Sequence, residues 1–312
     1  MTEFAFVFPG QGSQAVGMLD AWGDHAAVRQ TLVEASGALG EDVTELIHAG
    51  PKERLDLTTN TQPVMLTAGV ACYRAWLAEG GRVPSVVAGH SLGEYTALVA
   101  SGALSLADAL PLVRFRAQAM QDAVPVGVGA MAAILGLDAQ TVREGCIEVA
   151  AASGEVVEAV NFNDPTQTVI AGSKAGVEKA CEALKAKGAK RALLLPVSAP
   201  FHSSLMRPAA ERLKERLAAT AFATPEIPVV NNVDVKVETL PEALRDALYR
   251  QAFAPVRWVE TVQAIRARGL THIVECGPGK VLACMVRRID VEAVSGAVFD
   301  PASLAELKGS LT

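Results

Sequence analysis

The segment Gly89-His90-Ser91-Leu92-Gly93 constrains this chain more than any other. It lies between residues 83–88, an apolar run that reads as a short buried parallel strand, and residues 94–101, which read as a helix. A serine on a sharp strand-to-helix turn is held in a strained backbone conformation with little room on either side. Glycines two residues before and after it supply that room. Such a turn lifts the Ser91 hydroxyl clear of the backbone. The N–H groups that follow it then lie at a helix N-terminus and form half of an oxyanion hole. A buried parallel strand that feeds a helix points to an α/β fold.

The rest of the chain alternates in the same way. Residues 4–8 read as a buried strand running into Pro9-Gly10-Gln11-Gly12-Ser13, a turn-rich stretch. Residues 24–48, 62–80 and 106–123 read as helices. Beyond Pro125 the order changes. Residues 130–135 read as a strand, 138–152 as a helix, and 156–161 and 168–171 as strands about the turn Asn163-Asp164-Pro165-Thr166. Residues 174–187 are then a helix and 191–197 a strand. This β-α-β-β-α-β order is ferredoxin-like. The expected architecture is a large α/β domain of residues 1–125 and 199–312, with a small ferredoxin-like domain, 126–198, inserted in it. Helices at 205–219, 243–253, 257–268 and from Lys280, with strands at 228–231 and 271–275, complete the large domain.

Composition narrows the function. The 312 residues can bury a sizeable core without disulfides, and 50% apolar with 20% charged residues is a globular composition. An aromatic fraction of 5% and a net charge of −6 argue against a stacking platform or a broad basic footprint for nucleic acid. No stretch approaches the roughly 20 apolar residues of a membrane span. The N-terminus reads as neither a signal nor a transit peptide. The five scattered cysteines, with no C-x-x-C pair, fit a reduced cytoplasmic protein without a zinc framework.

A serine nucleophile needs a base. His90 directly precedes Ser91, so its side chain is expected to point away from the hydroxyl. His25 and His48 read as surface residues, and His272 as a satisfied core histidine within its strand. His202 differs from these. It follows an apolar strand, in the loop Ser198-Ala-Pro-Phe-His-Ser-Ser204 before a helix, and a loop at the C-terminal end of a strand is where open α/β sheets place functional groups. A third member is harder to find. Asp164 is the best-placed acid, yet it reads as an Asx-turn residue, and a backbone carbonyl would serve equally to orient the base. Arg116 shares a helical stripe with Ala109, Val113 and Met120, which places it on a buried face, whereas Arg114 lies on a polar one. A buried guanidinium needs a partner, either a protein acid or a substrate carboxylate. The loop Pro9–Ser13 carries backbone N–H groups for the other half of the oxyanion hole. It is no dinucleotide fingerprint, because Ala15 stands where the third glycine belongs.

Six segments together resemble the malonyl-CoA:acyl carrier protein transacylase family: Phe8-Pro-Gly-Gln-Gly-Ser-Gln14, Gly89-His-Ser-Leu-Gly-Glu-Tyr95, Arg116, Phe201-His202, Val230-Asn-Asn-Val-Asp234 and Glu275-Cys-Gly-Pro-Gly-Lys280. They fall in family order, and acyltransferase domains of fatty-acid and polyketide synthases share most of them. The resemblance implies a ferredoxin-like domain inserted in a hydrolase-like one. It implies Ser91 as the nucleophile that takes malonyl from coenzyme A, His202 as the base and Arg116 as the holder of the malonyl carboxylate. The backbone amides of Gln11 and Leu92 would form the oxyanion hole, and the main-chain carbonyl of Gln251 would orient the histidine. Phe201 is similar to the residue of malonyl-selective members. Val64, in Thr61-Gln-Pro-Val64, departs from the usual small alanine.

No cofactor is implied, since the coenzyme A thioester is a substrate. The implied partners are malonyl-CoA and acyl carrier protein, with neither nucleic acid nor membrane. Carrier proteins are acidic, so Lys190, Arg191, Arg207, Lys280, Arg287 and Arg288 are candidates for docking, although any one of them taken singly reads more readily as a solvated charge. Three rival readings stay open. They are a serine hydrolase that needs no Arg116, a trans-acting acyltransferase serving a polyketide carrier, and a sensor that binds malonyl-CoA without chemistry.

Overall fold

A computed structural model describes residues 2–197 and 199–311. Its strands are β1 (Phe4–Phe8), β2 (Val86–Gly89), β3 (Gly129–Leu135), β4 (Val157–Asp164), β5 (Gln167–Ser173), β6 (Arg191–Leu194), β7 (Val229–Val230), β8 (His272–Cys276) and β9 (Ala297–Val298). They form two sheets. The first is parallel throughout, in the order β7-β2-β1-β8-β9. The second is antiparallel, in the order β4-β5-β3-β6.

The central strand shows why the first sheet is covered on both faces. All five residues of β1 are buried. Successive side chains of a strand point to opposite faces. Phe4, Phe6 and Phe8 therefore pack on one side with Tyr73 and Trp76, and Ala5 and Val7 on the other with Trp258 and Ile273. Helices supply both layers, as a parallel sheet requires. The long helix Thr58–Ala78 lies against the phenylalanine face, and Trp258–Ala267 belongs to the opposite one.

The second sheet lies within residues 129–194 with the helices Ala139–Ser153 and Lys174–Ala186, in the expected β-α-β-β-α-β order. It has its own core of Ala132, Ile134, Val142, Ile170, Val177 and Leu184. Backbone hydrogen bonds from Phe162 N to Val256 O (3.0 Å) and from Val256 N to Val160 O (2.8 Å) tie it to the rest. The α/β class with a parallel sheet and a separate ferredoxin-like unit is thus the architecture observed. Ser198, where the inserted segment is expected to end, lies outside the described residues.

Several boundaries differ from expectation. The helix expected over 24–48 is two, Ala26–Leu39 and Val43–Ala49. Gly40 breaks it with φ 66°, and the Asp42 side chain caps the second by accepting the Glu45 N–H. The helix expected at 62–80 begins at Thr58 and carries Pro63 inside it. β6 ends at Leu194 and not at Val197, two residues before Pro196, which cannot donate to a ladder. β9 and the C-terminal helix Pro301–Ser310 were not anticipated, although Asp300 and Ser303 form a capping box there. His272 is half-exposed at the start of β8, bonded to Thr271 Oγ1, and is not a core residue.

Candidate active site

The site forms where β1, β2 and β7 end, at the carboxyl edge of the parallel sheet. This is where open α/β sheets gather functional groups. The turn after β2 has the geometry its glycines predict. Ser91 sits at φ 52°, in the left-handed region that L-residues avoid. A Cβ on Gly89 would lie 1.9 Å from the backbone carbon of Gly93, and one on Gly93 would lie 2.0 Å from Phe8 O. Only hydrogen fits at either position. Gly10 is equally confined, because a Cβ there would stand 2.5 Å from His90 O. That contact presses the loop after β1 against the turn after β2. Gln11 is thereby carried to the same cavity as Leu92. Gln11 lies beyond β1 and Leu92 precedes the helix from Gly93, and among the described residues neither amide donates to a backbone carbonyl.

His202 arrives from the far side, in the loop that returns from the antiparallel unit. Its φ is 64°, also left-handed. Its Nε2 lies 2.7 Å from Ser91 Oγ, and its Nδ1 lies 2.8 Å from the carbonyl oxygen of Gln251. A carbonyl can only accept, so Nδ1 carries the proton and Nε2 turns its lone pair to the serine O–H. Burial first, and the charge of Arg116 second, push the His202 pKa down to about 3, while the Gln251 carbonyl opposes them. The imidazole is therefore neutral at pH 7.

Arg116 is 2% exposed. Its hydrogen bonds go to amides and not to an acid: Nη1 donates to Gln62 Oε1 at 2.7 Å and Nη2 to Gln251 Oε1 at 3.1 Å. Nη2 also comes within 3.4 Å of Ser91 Oγ. Among the described residues the buried Nε–H has no hydrogen-bond partner. The guanidinium lies 5.4 Å from the centre of the Tyr95 ring, and burial lowers its pKa. Arg114 behaves as its face predicts, bonding Asn60 and pairing with Glu41 nearer the surface.

Ser91, His202, Gln11, Leu92, Arg116 and Phe201 surround one cavity of about 110 Å³. Gln251 is wholly buried beside it. A larger cavity, about 520 Å³, shares Gln11, His90, Asn161, Leu195 and Val197 with the first and opens between the two sheets. Asp164 is elsewhere. It accepts the Thr166 N–H at 2.9 Å, the Asx turn expected of it, and pairs with Arg288. His90 turns from the serine to Asn163 Oδ1 at 2.8 Å and stacks edge-on against Trp258. Among the described residues no group of three or more His, Cys, Asp or Glu could hold a metal ion, and no helix is long and apolar enough to cross a membrane.

Three buried polar residues carry roles that sequence reasoning did not assign, although they lie in the motif segments 61–64, 89–95 and 230–234. Gln62 holds Arg116. Asn232 accepts the Ser91 N–H through Oδ1 at 2.8 Å and donates from Nδ2 to Gly89 O at 2.7 Å, clamping the turn from both sides. Glu94, 2% exposed, accepts from Gln251 Nε2 and from the Asn232 N–H. Burial raises its pKa to about 7, against the effect of those two donors.

A serine primed by a neutral histidine, beside unengaged amides and a buried cation, is equipped to form and break acyl esters. That arrangement fits the class of serine-dependent acyl-transfer proteins. The model of the acyl transferase domain matches residues 5–299, and the chain belongs to this family. It is 53% identical over 306 residues to the malonyl CoA-acyl carrier protein transacylase of Escherichia coli K12, covering 98% of each chain. The crystal structure of an acyl-carrier-protein S-malonyltransferase from Burkholderia pseudomallei is similar with a TM-score of 0.96 and 67% identity, over 98% of this chain and 99% of that one. A malonyl-transacylase solved in complex with its type II PKS acyl-carrier protein is similar with a TM-score of 0.97 and 50% identity, over 99% of this chain and all of the other.

Proposed function

We propose that the chain transfers malonyl from coenzyme A to the phosphopantetheine thiol of an acyl carrier protein, through a malonyl ester on Ser91, for fatty-acid biosynthesis. The observation that carries the malonyl assignment is Arg116, a buried cation bonded only to neutral groups in the cavity of the serine. A buried charge without a direct ion-pair partner is costly, and Glu94 acts on Arg116 only through space. A substrate carboxylate can pair with the guanidinium directly, and an acetyl group cannot.

The reaction runs in two halves. His202 Nε2 takes the Ser91 proton as Oγ attacks the thioester carbonyl. The carbonyl π electrons move to oxygen, and the amides of Gln11 and Leu92 receive that oxyanion. The intermediate collapses, the carbonyl re-forms as the C–S bond breaks, and Nε2 gives its proton to the departing sulfur, which leaves free coenzyme A, the malonyl ester and a neutral His202. The carrier's thiol then gives its proton to His202 and attacks the ester, and Ser91 Oγ leaves and recovers the proton. Binding also tunes the base. The charge of Arg116 is the second cause of the low His202 pKa, so a malonyl carboxylate on Arg116 raises the basicity of His202 only when the correct acyl group is in place.

The larger cavity suits a pantetheine arm, which both coenzyme A and the carrier bring. Phe201, walling the smaller one, disfavours a methyl branch at the malonyl α-carbon. Such transfer needs no metal or redox cofactor. Five unbridged cysteines suit a cytoplasmic setting. The domain division at residues 125/126 and 198/199 is likewise our reading. Of the basic candidates for docking, Arg288 is paired with Asp164, Arg207 covers Phe253 and Lys280 covers Phe299. All six are exposed; Lys190, Arg191 and Arg287 make none of these contacts, and they are the residues we assign to an acidic carrier. A polyketide carrier is the second reading, favoured by the similar malonyl-transacylase solved with one.

The test is the fate of malonyl from malonyl-CoA, with and without holo carrier protein. Malonyl-carrier as the main product supports the proposal. Release of free malonate in the presence of carrier identifies a hydrolase and overturns it.

A further inference from the structure

The supports of the nucleophile and of the base converge on a single oxygen. Gln251 accepts the His202 Nδ1–H through its main-chain carbonyl. Asn232 accepts the Ser91 N–H and donates to Gly89 O. Behind both, Glu94 Oε2 accepts the Gln251 Nε2–H at 2.9 Å and the Asn232 backbone N–H at 2.9 Å. Gln251 Nε2 donates to Ser91 O as well, at 3.0 Å. Two acceptors on that side force the amide to present its NH₂ to them, and its Oε1 therefore faces Arg116. The Ser91 carbonyl and the Glu94 carboxylate together fix which end of Gln251 meets the guanidinium.

Burial of a carboxylate is expensive unless hydrogen bonds and charge offset it. A site that needed only a spacer would hold an apolar residue here. Glu94 lies in the first turn of the helix that follows Ser91, where the helix dipole favours an anion. Burial raises its pKa to about 7, so above that pH the carboxylate is ionised and its bonds are charge-assisted, roughly twice as strong as neutral ones.

We propose that Glu94 is the acid of this site acting at one remove, a positioning residue whose carboxylate holds Gln251 and Asn232 together and so keeps His202 and Ser91 in register. The inference rests on the proposed roles of Ser91 and His202.

The test is single-turnover acylation of the wild type, Glu94→Gln and Glu94→Leu by malonyl-CoA and by acetyl-CoA, reading the limiting rate and the half-saturating concentration separately, with thermal midpoints measured beside them. Glu94→Gln keeps an acceptor oxygen and loses the charge, so its limiting rate falls about tenfold; Glu94→Leu loses both and falls by about a hundredfold or more. Both acyl groups suffer equally, and half-saturation stays within about twofold, because the nucleophile–base pair is displaced and the ligand pocket is not. Should Glu94→Leu fail to fold, the isosteric Glu94→Gln carries the test. Rates within about twofold of wild type overturn the inference, as does a loss confined to malonyl-CoA or to half-saturation. A wild type that never acylates sinks the Ser91–His202 reading along with it, whereas normal acylation in all three proteins sinks this inference alone.

Discussion

Ser91 and His202 meet at 2.7 Å, side chain to side chain, with both backbones in the left-handed region at φ 52° and 64°. Each such residue costs of order 1–3 kcal/mol and persists only where its surroundings over-determine it. Here the surroundings are identifiable. Gly89 and Gly93 leave no space for a relaxed turn, Asn232 holds the serine amide, and the Gln251 carbonyl holds the imidazole.

The turn should therefore not tolerate a methyl group. Gly89→Ala drives a Cβ against backbone and not against a movable side chain. Overpacking of this kind costs about 1–3 kcal/mol or more, so the thermal midpoint should fall by about 2–5 °C or more, or the protein should fail to accumulate. Thermal denaturation checks it, and an unchanged midpoint would contradict the steric account.

Arg116 should discriminate between acyl groups. Arg116→Ala removes a charge-assisted contact worth about 1.5–3 kcal/mol, so acylation by malonyl-CoA should slow about 10- to 150-fold. Acylation by acetyl-CoA should hold or rise, because an unbalanced buried charge has gone. Rates measured with both thioesters decide the matter, and equal losses would make Arg116 structural.

The fold was legible because its signals are local. Apolar β1, the glycines about Ser91 and the β-α-β-β-α-β order each lie within one stretch of chain, and so does the stripe that buries Arg116. His202 could be found because loop position marks it. Asn232, Gln62 and Glu94 could not. Asn232 reaches a turn 141 residues away and Glu94 meets Gln251 across 157, and no periodicity records such a pairing. The third member of the site is a different case. Among the acids between Ser91 and His202, Asp164 has the best position, and it makes the Asx turn its sequence context predicts. The Nδ1–H of His202 goes to a main-chain carbonyl, which every residue has and no side-chain pattern marks. β9 has only two residues, too few for a pattern.

The buried imidazole should leave a mark on stability. The His202 pKa is pushed from its ordinary 6.5 to about 3. Between those values the unfolded chain binds a proton at residue 202 that the folded chain does not. Stability from this group is therefore full above 6.5 and is lost as the pH falls toward 3. Relative to His202→Gln, the wild type should lose about 2 kcal/mol of unfolding free energy between pH 7.5 and pH 5. Denaturant unfolding of both proteins at the two pH values measures this difference. A difference independent of pH would mean that His202 titrates normally.

Phe201 should limit the size of the acyl group. A methyl group discriminated by an apolar wall is worth about 1–3 kcal/mol. Phe201→Ser should raise the rate with methylmalonyl-CoA relative to malonyl-CoA by about tenfold. Competition between the two thioesters reads the ratio directly, and an unchanged ratio would place the selectivity elsewhere in the cavity.

The covalent ester on Ser91 is the centre of the account, and intact mass reads it directly. Wild type, Ser91→Ala and His202→Ala are mixed with malonyl-CoA, and holo carrier protein is then added. The wild type should gain one malonyl group and lose it to the carrier. Ser91→Ala should gain nothing, and His202→Ala should gain the group far more slowly. A malonyl adduct that persists on Ser91→Ala, or a wild type that delivers malonyl to the carrier without ever holding it, would contradict the mechanism.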